Sequence, residues 1–185
     1  MAGWIVKKIR LDIKPIAGLN SQISLLLSML DDGTREWREE LGRVSKEALV
    51  WQPFPNGHSI GAIILHIADV EGYWVQEVAA GQPRSPKEQQ MLLSNETNQY
   101  AVQWPVPPKK PLSWFFEQHD RIRQRTHRIV KKLADPEYLA RRDGQGKSYE
   151  FTLRWILHHV ITHEAYHGGQ AVLLALQYRQ RKRKA

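Results

Sequence analysis

Two histidines near the C-terminus, His163 and His167, lie four residues apart in the segment HEAYHGGQ. On an α-helix, this spacing separates their side chains by about 40° around the axis and by roughly 6 Å along it. Both imidazoles can then reach one divalent metal ion, for which neutral imidazole is a common ligand. The spacing alone leaves a second interpretation open, in which both are core histidines bonded to carbonyl or carboxylate groups.

A catalytic metal site of this kind needs a third protein ligand and keeps one position open for water or substrate. His66 is the best candidate, because it lies among apolar residues in the segment IILHIAD, where an unpaired imidazole would be unfavourable. His159 shares the helix face of His163 and could complete a closed site with four ligands. His58 could cap a helix or line the mouth of the site.

The letters HEAYH also match the H-E-x-x-H motif of zinc proteases, in which Glu164 would act as the general base. That class takes its third ligand from downstream of the second histidine. The segment after His167 contains no His, Asp or Glu, so such a protease would lack this ligand. Glu164 lies about 100° around a helix from His163, which neither requires nor excludes a role beside the metal.

The elements that must position these histidines are helices. Hydrophobic periodicity of three and four residues predicts four long helices. These span residues 19–41, 59–81, 112–134 and 152–178. Ser45 and Ser59 are predicted N-caps, the first of a short turn at 45–49 and the second of the second long helix. The proline-rich segment 84–111 is predicted to be a long connection, and residues 138–152 a small hairpin or a loop. The fold class is therefore an all-α helix bundle with a long crossover connection.

Several further residues are expected to have packing or surface roles. Gly168 and Gly169 would permit close helix approach. Four tryptophans are expected in the core, namely Trp51, Trp74, Trp114 and Trp155. Three histidines are expected outside the site: His158 at the surface or in packing, and His119 and His127 exposed on the third long helix.

The chain has 185 residues, 42% hydrophobic and 25% charged, which is typical of soluble globular proteins. This length favours one domain, predicted over residues 1–178, with a basic tail at 179–185. The tail carries much of the net charge of +8, so a solvated helix end is favoured over nucleic-acid binding. The sequence also lacks a signal-peptide core and a stretch apolar enough to span a membrane, which predicts a cytoplasmic protein.

The chain contains no cysteine, so disulfides, thiolate ligands and cysteine nucleophiles are excluded. Any thiol chemistry must therefore use a thiol from outside the chain.

Three motifs, taken in order, resemble those of the DinB/YfiT-like family. They are a W-x-P loop leading into an S-I-G helix start in WQPFPNGHSIG, a mid-helix H-I-A-D, and a terminal H-E-x-x-H-x-G-Q. The resemblance covers about residues 19–178. It implies an up-down-down-up four-helix bundle, often a homodimer, with a divalent metal bound by His66, His163 and His167.

The resemblance also implies a chemistry. The family's metal is zinc or nickel, and its members include thiol transferases that use bacillithiol and isomerases that depend on mycothiol. A metal with an open position lowers the pKa of bound water or thiol. We therefore predict a metal-dependent enzyme that activates a low-molecular-weight thiol or water for transfer to, or hydrolysis of, a small molecule. A metal-binding protein without activity is the alternative. Candidates for contacting the imidazoles or the substrate are Asp69, Glu71, Glu164 and Gln170.

Overall fold

Six α-helices and one β-hairpin make up the fold, which a computed structural model describes for residues 10–144 and 146–184. The α-helices are α1 (Ser21–Leu41), α2 (Lys46–Val50), α3 (Ile60–Gly72), α4 (Pro86–Met91), α5 (Leu112–Leu133) and α6 (Leu153–Lys184). The hairpin pairs β1 (Leu139–Gly144) with β2 (Lys147–Thr152) in antiparallel register. Among the described residues, none of the helices combines the length and apolar content that crossing a bilayer requires.

The predicted helix starts at Ser45 and Ser59 are confirmed. Their hydroxyl groups accept hydrogen bonds from the backbone N–H groups of Ala48 and Ala62, which would otherwise lack partners in the first turn. After α3 the chain continues as a π-helical stretch, Tyr73–Ala79. It then leaves the helix at Gly81, whose φ of 64° suits glycine, close to the predicted end.

Three features differ from the sequence prediction. The fold is not purely α-helical, because Leu139–Thr152 form a hairpin, which is one of the two structures predicted for this segment. The 84–111 connection is partly ordered, since Ser85 caps α4 and a 3₁₀ turn covers Gln99–Ala101. The last helix does not end at residue 178, since α6 continues to Lys184.

The hydrophobic core lies where α1 packs on α6 and where α3 packs on both α5 and α6. Trp74 is buried as predicted, whereas Trp51 and Trp114 are half-buried. The prediction for Trp155 was wrong, because 41% of this residue is exposed. The fully buried tryptophan is Trp104, from the proline-rich connection, which the helical periodicity could not identify.

A buried arginine joins all four long helices. From α5, Arg123 donates through Nε (2.9 Å) and Nη2 (3.0 Å) to the two carboxylate oxygens of Glu71 on α3. Its Nη2 also donates to Glu164 on α6 (2.5 Å), and its Nη1 donates to Thr34 on α1 (2.9 Å). These hydrogen bonds satisfy both buried carboxylates, and a carboxylate left without them would be strongly destabilising.

His119 belongs to the same buried network, so its predicted exposure was wrong. The side chain is 0% exposed, and its Nδ1 lies 2.8 Å from Nη2 of Arg38. A guanidinium can only donate, so Nδ1 accepts this hydrogen bond, while Nε2 lies 3.5 Å from Glu71 and 3.7 Å from Glu164. His127 is partly exposed and pairs with Asp31.

Gly168 and Gly169 have different surroundings, although close packing was predicted for both. A Cβ at Gly168 would lie 2.7 Å from Cγ of Trp37, so α1 and α6 can approach here only because the side chain is absent. A Cβ at Gly169 would meet no atom within 4 Å, so the packing role predicted for this residue was wrong.

Replacing these two glycines should therefore give opposite effects. Gly168→Ala should destabilise the metal-free protein by about 1–3 kcal/mol, because the indole of Trp37 must move. Gly169→Ala should stabilise it by up to about 1 kcal/mol, because alanine favours the helix more than glycine does. Urea unfolding followed by circular dichroism measures both changes. Equal effects of the two substitutions would contradict the packing contact.

The buried carboxylate of Glu71 should make folding sensitive to acid. Burial opposes its ionisation, but the charge of Arg123 and the hydrogen bond from His119 outweigh burial and hold the pKa well below its ordinary value of 4.5. Because the unfolded chain then binds the proton more tightly, this stabilisation is present above pH 4.5 and is lost as the pH falls below it.

Unfolding experiments between pH 6 and pH 3 test this. Below pH 4.5, the protonation of Glu71 should lower the free energy of unfolding of wild type by about 1.4 kcal/mol per pH unit. Glu71→Gln should be less stable at pH 6 by about 3–5 kcal/mol and should lack this part of the slope. Glu150→Gln, at an exposed pair with Arg141, is the control and should change neither quantity appreciably. An unchanged acid slope in Glu71→Gln would refute the assignment.

Candidate metal centre

Three imidazoles from two helices converge in the core. His66 comes from α3, and His163 and His167 come from successive turns of α6. The ring centres are 5.0 Å apart for His66 and His163, 4.9 Å for His66 and His167, and 4.4 Å for His163 and His167. One nitrogen of each ring lies within 4.8 Å of the other two, so a single ion could contact all three rings.

The chemistry of this cluster fits a cation. Both ring nitrogens of His66 and Nε2 of His163 are buried without a hydrogen-bond partner among the described residues. Buried polar nitrogens normally have a partner, because leaving them unpaired costs free energy. A divalent ion would accept the lone pair of one nitrogen of each ring and so remove part of this cost.

The electrostatic environment keeps the three rings neutral. Burial lowers the pKa of His66 and of His167 to about 4. Burial, with the neighbouring His167 ring, lowers the pKa of His163 to about 2. At neutral pH all three imidazoles therefore retain the lone pairs that a metal ligand requires.

Gln170 fixes the orientation of one ring. Its Oε1 lies 2.7 Å from Nδ1 of His167, one turn earlier on α6. Because a carbonyl oxygen accepts, Nδ1 donates and Nε2 is left unprotonated for a metal. Hydrogen bonds of this kind set the tautomer of metal-binding histidines. The prediction that Gln170 contacts one of the imidazoles therefore agrees with this hydrogen bond.

The three candidate carboxylates have other partners. Asp69 accepts hydrogen bonds from Arg84 (2.5 Å) and Ser94. Glu71 and Glu164 both bond to Arg123. Glu164 also accepts from Nε1 of Trp37 (2.8 Å) and is 2% exposed, so it offers no free carboxylate for the general base of a protease. Glu71, His119 and Glu164 also lie close enough to hold an ion, but Arg123 already supplies the positive charge there.

His159 lies outside the cluster. Its ring is stacked on Trp155 with centres 5.1 Å apart, and its centre is 6.1 Å from that of His163. The cluster therefore has three imidazoles rather than four. Such a site leaves a coordination position open for another ligand. His158 is exposed, which agrees with the surface position that was one of its two predicted roles.

One wall of the cluster is Trp104, which the sequence analysis missed. Its ring meets that of His66 edge-on at 5.1 Å and packs against His58 at 4.2 Å. The one sequence signal for this role is a tryptophan in an otherwise polar, proline-rich connection. His167 of the cluster lines a cleft of about 340 Å³, named the polar cleft because all of its lining side chains carry polar atoms. The residues lining the polar cleft are His58, Gln99, Tyr100, Tyr166, His167 and Gln170.

A comparison with protein-family models identifies the family of the chain. A family model described as Mycothiol-S-transferase matches residues 25–179, a range that includes all three histidines. The chain belongs to the mycothiol-S-transferase family. This family is part of the DinB/YfiT-like metal-binding superfamily, so the resemblance seen in the sequence is confirmed. No curated protein matches the chain.

Membership of the mycothiol-S-transferase family corrects one expectation. Bacillithiol was the example of a thiol cofactor that the wider DinB/YfiT-like resemblance suggested. The matched family uses mycothiol and not bacillithiol. The thiol to be considered for this chain is therefore mycothiol.

If the three imidazoles hold an ion, the protein should bind about one equivalent of zinc or nickel. Removing any one ring should weaken binding by more than about 100-fold, since loss of a partner that only orients a ligand already costs 10-fold to 100-fold. The measurements are elemental analysis after dialysis, which gives the metal content, and competition with a coloured chelator, which gives the affinity for the metal. They are made on His66→Ala, His163→Ala and His167→Ala. His159→Ala is the control and should bind like wild type. Stoichiometric metal in His163→Ala would refute the site.

Proposed function

We propose that the protein is a metal-dependent S-transferase, in which the thiol group of mycothiol reacts with an electrophilic small molecule and the two are joined as a thioether. The observation that carries this proposal is the buried cluster of His66, His163 and His167, of which the His167 ring lines the polar cleft. The family match supports the identity of the thiol. The lack of cysteine is consistent with it, because the sulfur must then come from a second substrate.

A zinc or nickel ion held by the three imidazoles would lower the pKa of a thiol bound to it and so favour the thiolate near neutral pH. The residues around the cluster have supporting roles. Gln170 orients His167, and Trp104 with His58 covers His66 and limits the access of water. Glu164 anchors the helix that carries His163 by its hydrogen bond to Arg123.

A metal-binding protein without activity is the second candidate, but the position of His159 argues against it. A structural site is normally closed by four protein ligands, whereas this cluster has three imidazoles. The cleft beside it is also of the size that small-molecule sites have. Both features favour an enzyme that binds substrate at the open position.

We also propose that α1, α3, α5 and α6 form the up-down-down-up bundle that the resemblance implies. The packing of α1 on α6 and of α3 on α5 supports this arrangement. The long connection that contains α4 has enough residues to join α3 to a parallel α5. The homodimer implied by the same resemblance stays a prediction for analytical ultracentrifugation.

The zinc-loaded or nickel-loaded protein should accelerate the formation of a thioether between mycothiol and 1-chloro-2,4-dinitrobenzene, detected by mass spectrometry. His163→Ala should reduce the rate to nearly that of the reaction without protein, because the ion is lost. His159→Ala should retain the activity, and bacillithiol in place of mycothiol should give a lower rate. Metal-loaded protein that gives no acceleration with mycothiol and any of several electrophiles would contradict the proposal.

A further inference from the structure

A second cleft adjoins the polar cleft. This apolar cleft has a volume of about 420 Å³ and shares His58 and Gln170 with the polar cleft. Its lining residues are Pro53, Phe54, His58, Gln170, Leu173, Leu174 and Gln177. The two clefts are thus neighbours beside the histidine cluster. The polar cleft is lined by histidine, tyrosine and glutamine, whereas four of the seven residues that line the apolar cleft are apolar.

Two large apolar side chains remain accessible in the apolar cleft. Phe54 is 50% exposed and Leu173 is 54% exposed. Single exposed apolar residues are common on protein surfaces and do not by themselves indicate a binding site. Here both line one concavity, and a concave apolar site with a few polar groups is the usual form of a small-molecule site.

Phe54 is held in place by its own loop. The N–H of Gly57 donates to the carbonyl of Phe54 at 3.0 Å, and Asn56 adopts a left-handed φ of 59° in this turn. The ring of Phe54 lies so close over Gly57 that a Cβ there would be 2.8 Å from it. The ring is therefore presented at a fixed position, which lowers the entropy cost of binding a ligand against it.

Further hydrogen bonds fasten this loop to the wall of the histidine cluster. The side chain of Gln52 donates to the carbonyls of Gly57 (2.7 Å) and Trp104 (2.9 Å). The backbone N–H of Trp104 donates to the carbonyl of Asn56 at 3.0 Å. The loop that carries Phe54 and the tryptophan that packs on His66 are thus one connected unit.

Helix α6 links the apolar cleft to the cluster directly. His167, Gln170 and Leu173 follow one another at intervals of three residues and so lie along one side of the helix. At 1.5 Å per residue, Leu173 is about 9 Å along the axis from His167. A molecule about the length of one aromatic ring with substituents could contact Leu173 and still place its reactive atom beside the cluster.

We propose that the apolar cleft binds the electrophilic substrate and selects compact, apolar aromatic electrophiles, while the polar cleft receives the hydrophilic thiol. This inference rests on the proposed transferase function. In the transfer, the sulfur of mycothiol forms a bond to the electrophilic carbon, the leaving group departs with its electron pair, and the thiol proton passes to solvent. With 1-chloro-2,4-dinitrobenzene, the leaving group is chloride.

The first test measures binding without chemistry. The probe is 2,4-dinitrotoluene, which has the same dinitro ring but no leaving group, and equilibrium dialysis against zinc-loaded protein gives its affinity. Leu173→Ala should weaken binding about tenfold, in the range typical of a lost apolar pocket contact. Leu176→Ala is the matched control, because Leu176 is on the same helix and 48% exposed but does not line the cleft. It should bind the probe within about twofold of wild type.

The second test separates the two substrates kinetically. In Leu173→Ala, the KM for 1-chloro-2,4-dinitrobenzene should rise about tenfold, whereas the KM for mycothiol should stay within about twofold. The KM for iodoacetamide, a small polar electrophile, should not change. A similar increase in Leu176→Ala, or a change in the KM for mycothiol alone, would overturn the assignment of the cleft.

Ultracentrifugation decides whether a second copy of the chain covers the cleft instead. A wild-type dimer that Leu173→Ala dissociates, but Leu176→Ala does not, would overturn the proposal. If no electrophile reacts but the binding difference between the two variants persists, the transferase proposal fails and the cleft remains a site for apolar aromatic molecules. Equal probe binding by wild type and Leu173→Ala would refute the cleft itself.

Discussion

One buried ion-pair network fixes the relative positions of the four long helices, two of which carry the histidine cluster. Arg123 on α5 bonds to Glu71 on α3, to Glu164 on α6 and to Thr34 on α1. A buried guanidinium with five donors needs several acceptors in a defined geometry, so it tolerates little change in the spacing of the helices. Such a network adds little to stability compared with an apolar core, but it specifies one arrangement. In that arrangement, α3 and α6 bring their histidines together.

The histidine cluster could be anticipated from the sequence because its two strongest signals are local. The interval from His163 to His167 and the apolar surroundings of His66 are both visible within a few residues. The helices, their serine caps and the possible hairpin follow from similar short-range patterns. The buried network could not be anticipated, because nothing near Arg123 or His119 in the sequence shows that carboxylates from two other helices meet them. Arginine is usually exposed, so the burial of Arg123 goes against a general tendency, and the predicted exposure of His119 was wrong.

The residues that line the clefts could not be predicted from the sequence, for a related reason. Trp104 lies in a proline-rich segment without periodicity, and Phe54 lies in a turn defined by Pro55, Asn56 and Gly57. Their placement beside the histidine cluster depends on hydrogen bonds between two loops that are far apart in the chain. Patterns within one segment carry no information about such pairings. This is also why the proposed class of electrophile rests on the structure and not on the motifs.

The adjacency of His163 and Glu164 limits how the protein can move. A displacement of α6 that withdrew the His163 ring from the cluster would also pull Glu164 away from Arg123 and leave charges unpaired in the core. Opening of the site by the hinging or sliding of α6 is therefore energetically unfavourable, and this helix should behave as the rigid side of the centre. Entry and departure of small molecules are left to the loop side, around His58, Gln99 and Tyr100. For the proposed transferase, the motion that limits turnover would therefore lie in the connections and not in the long helices.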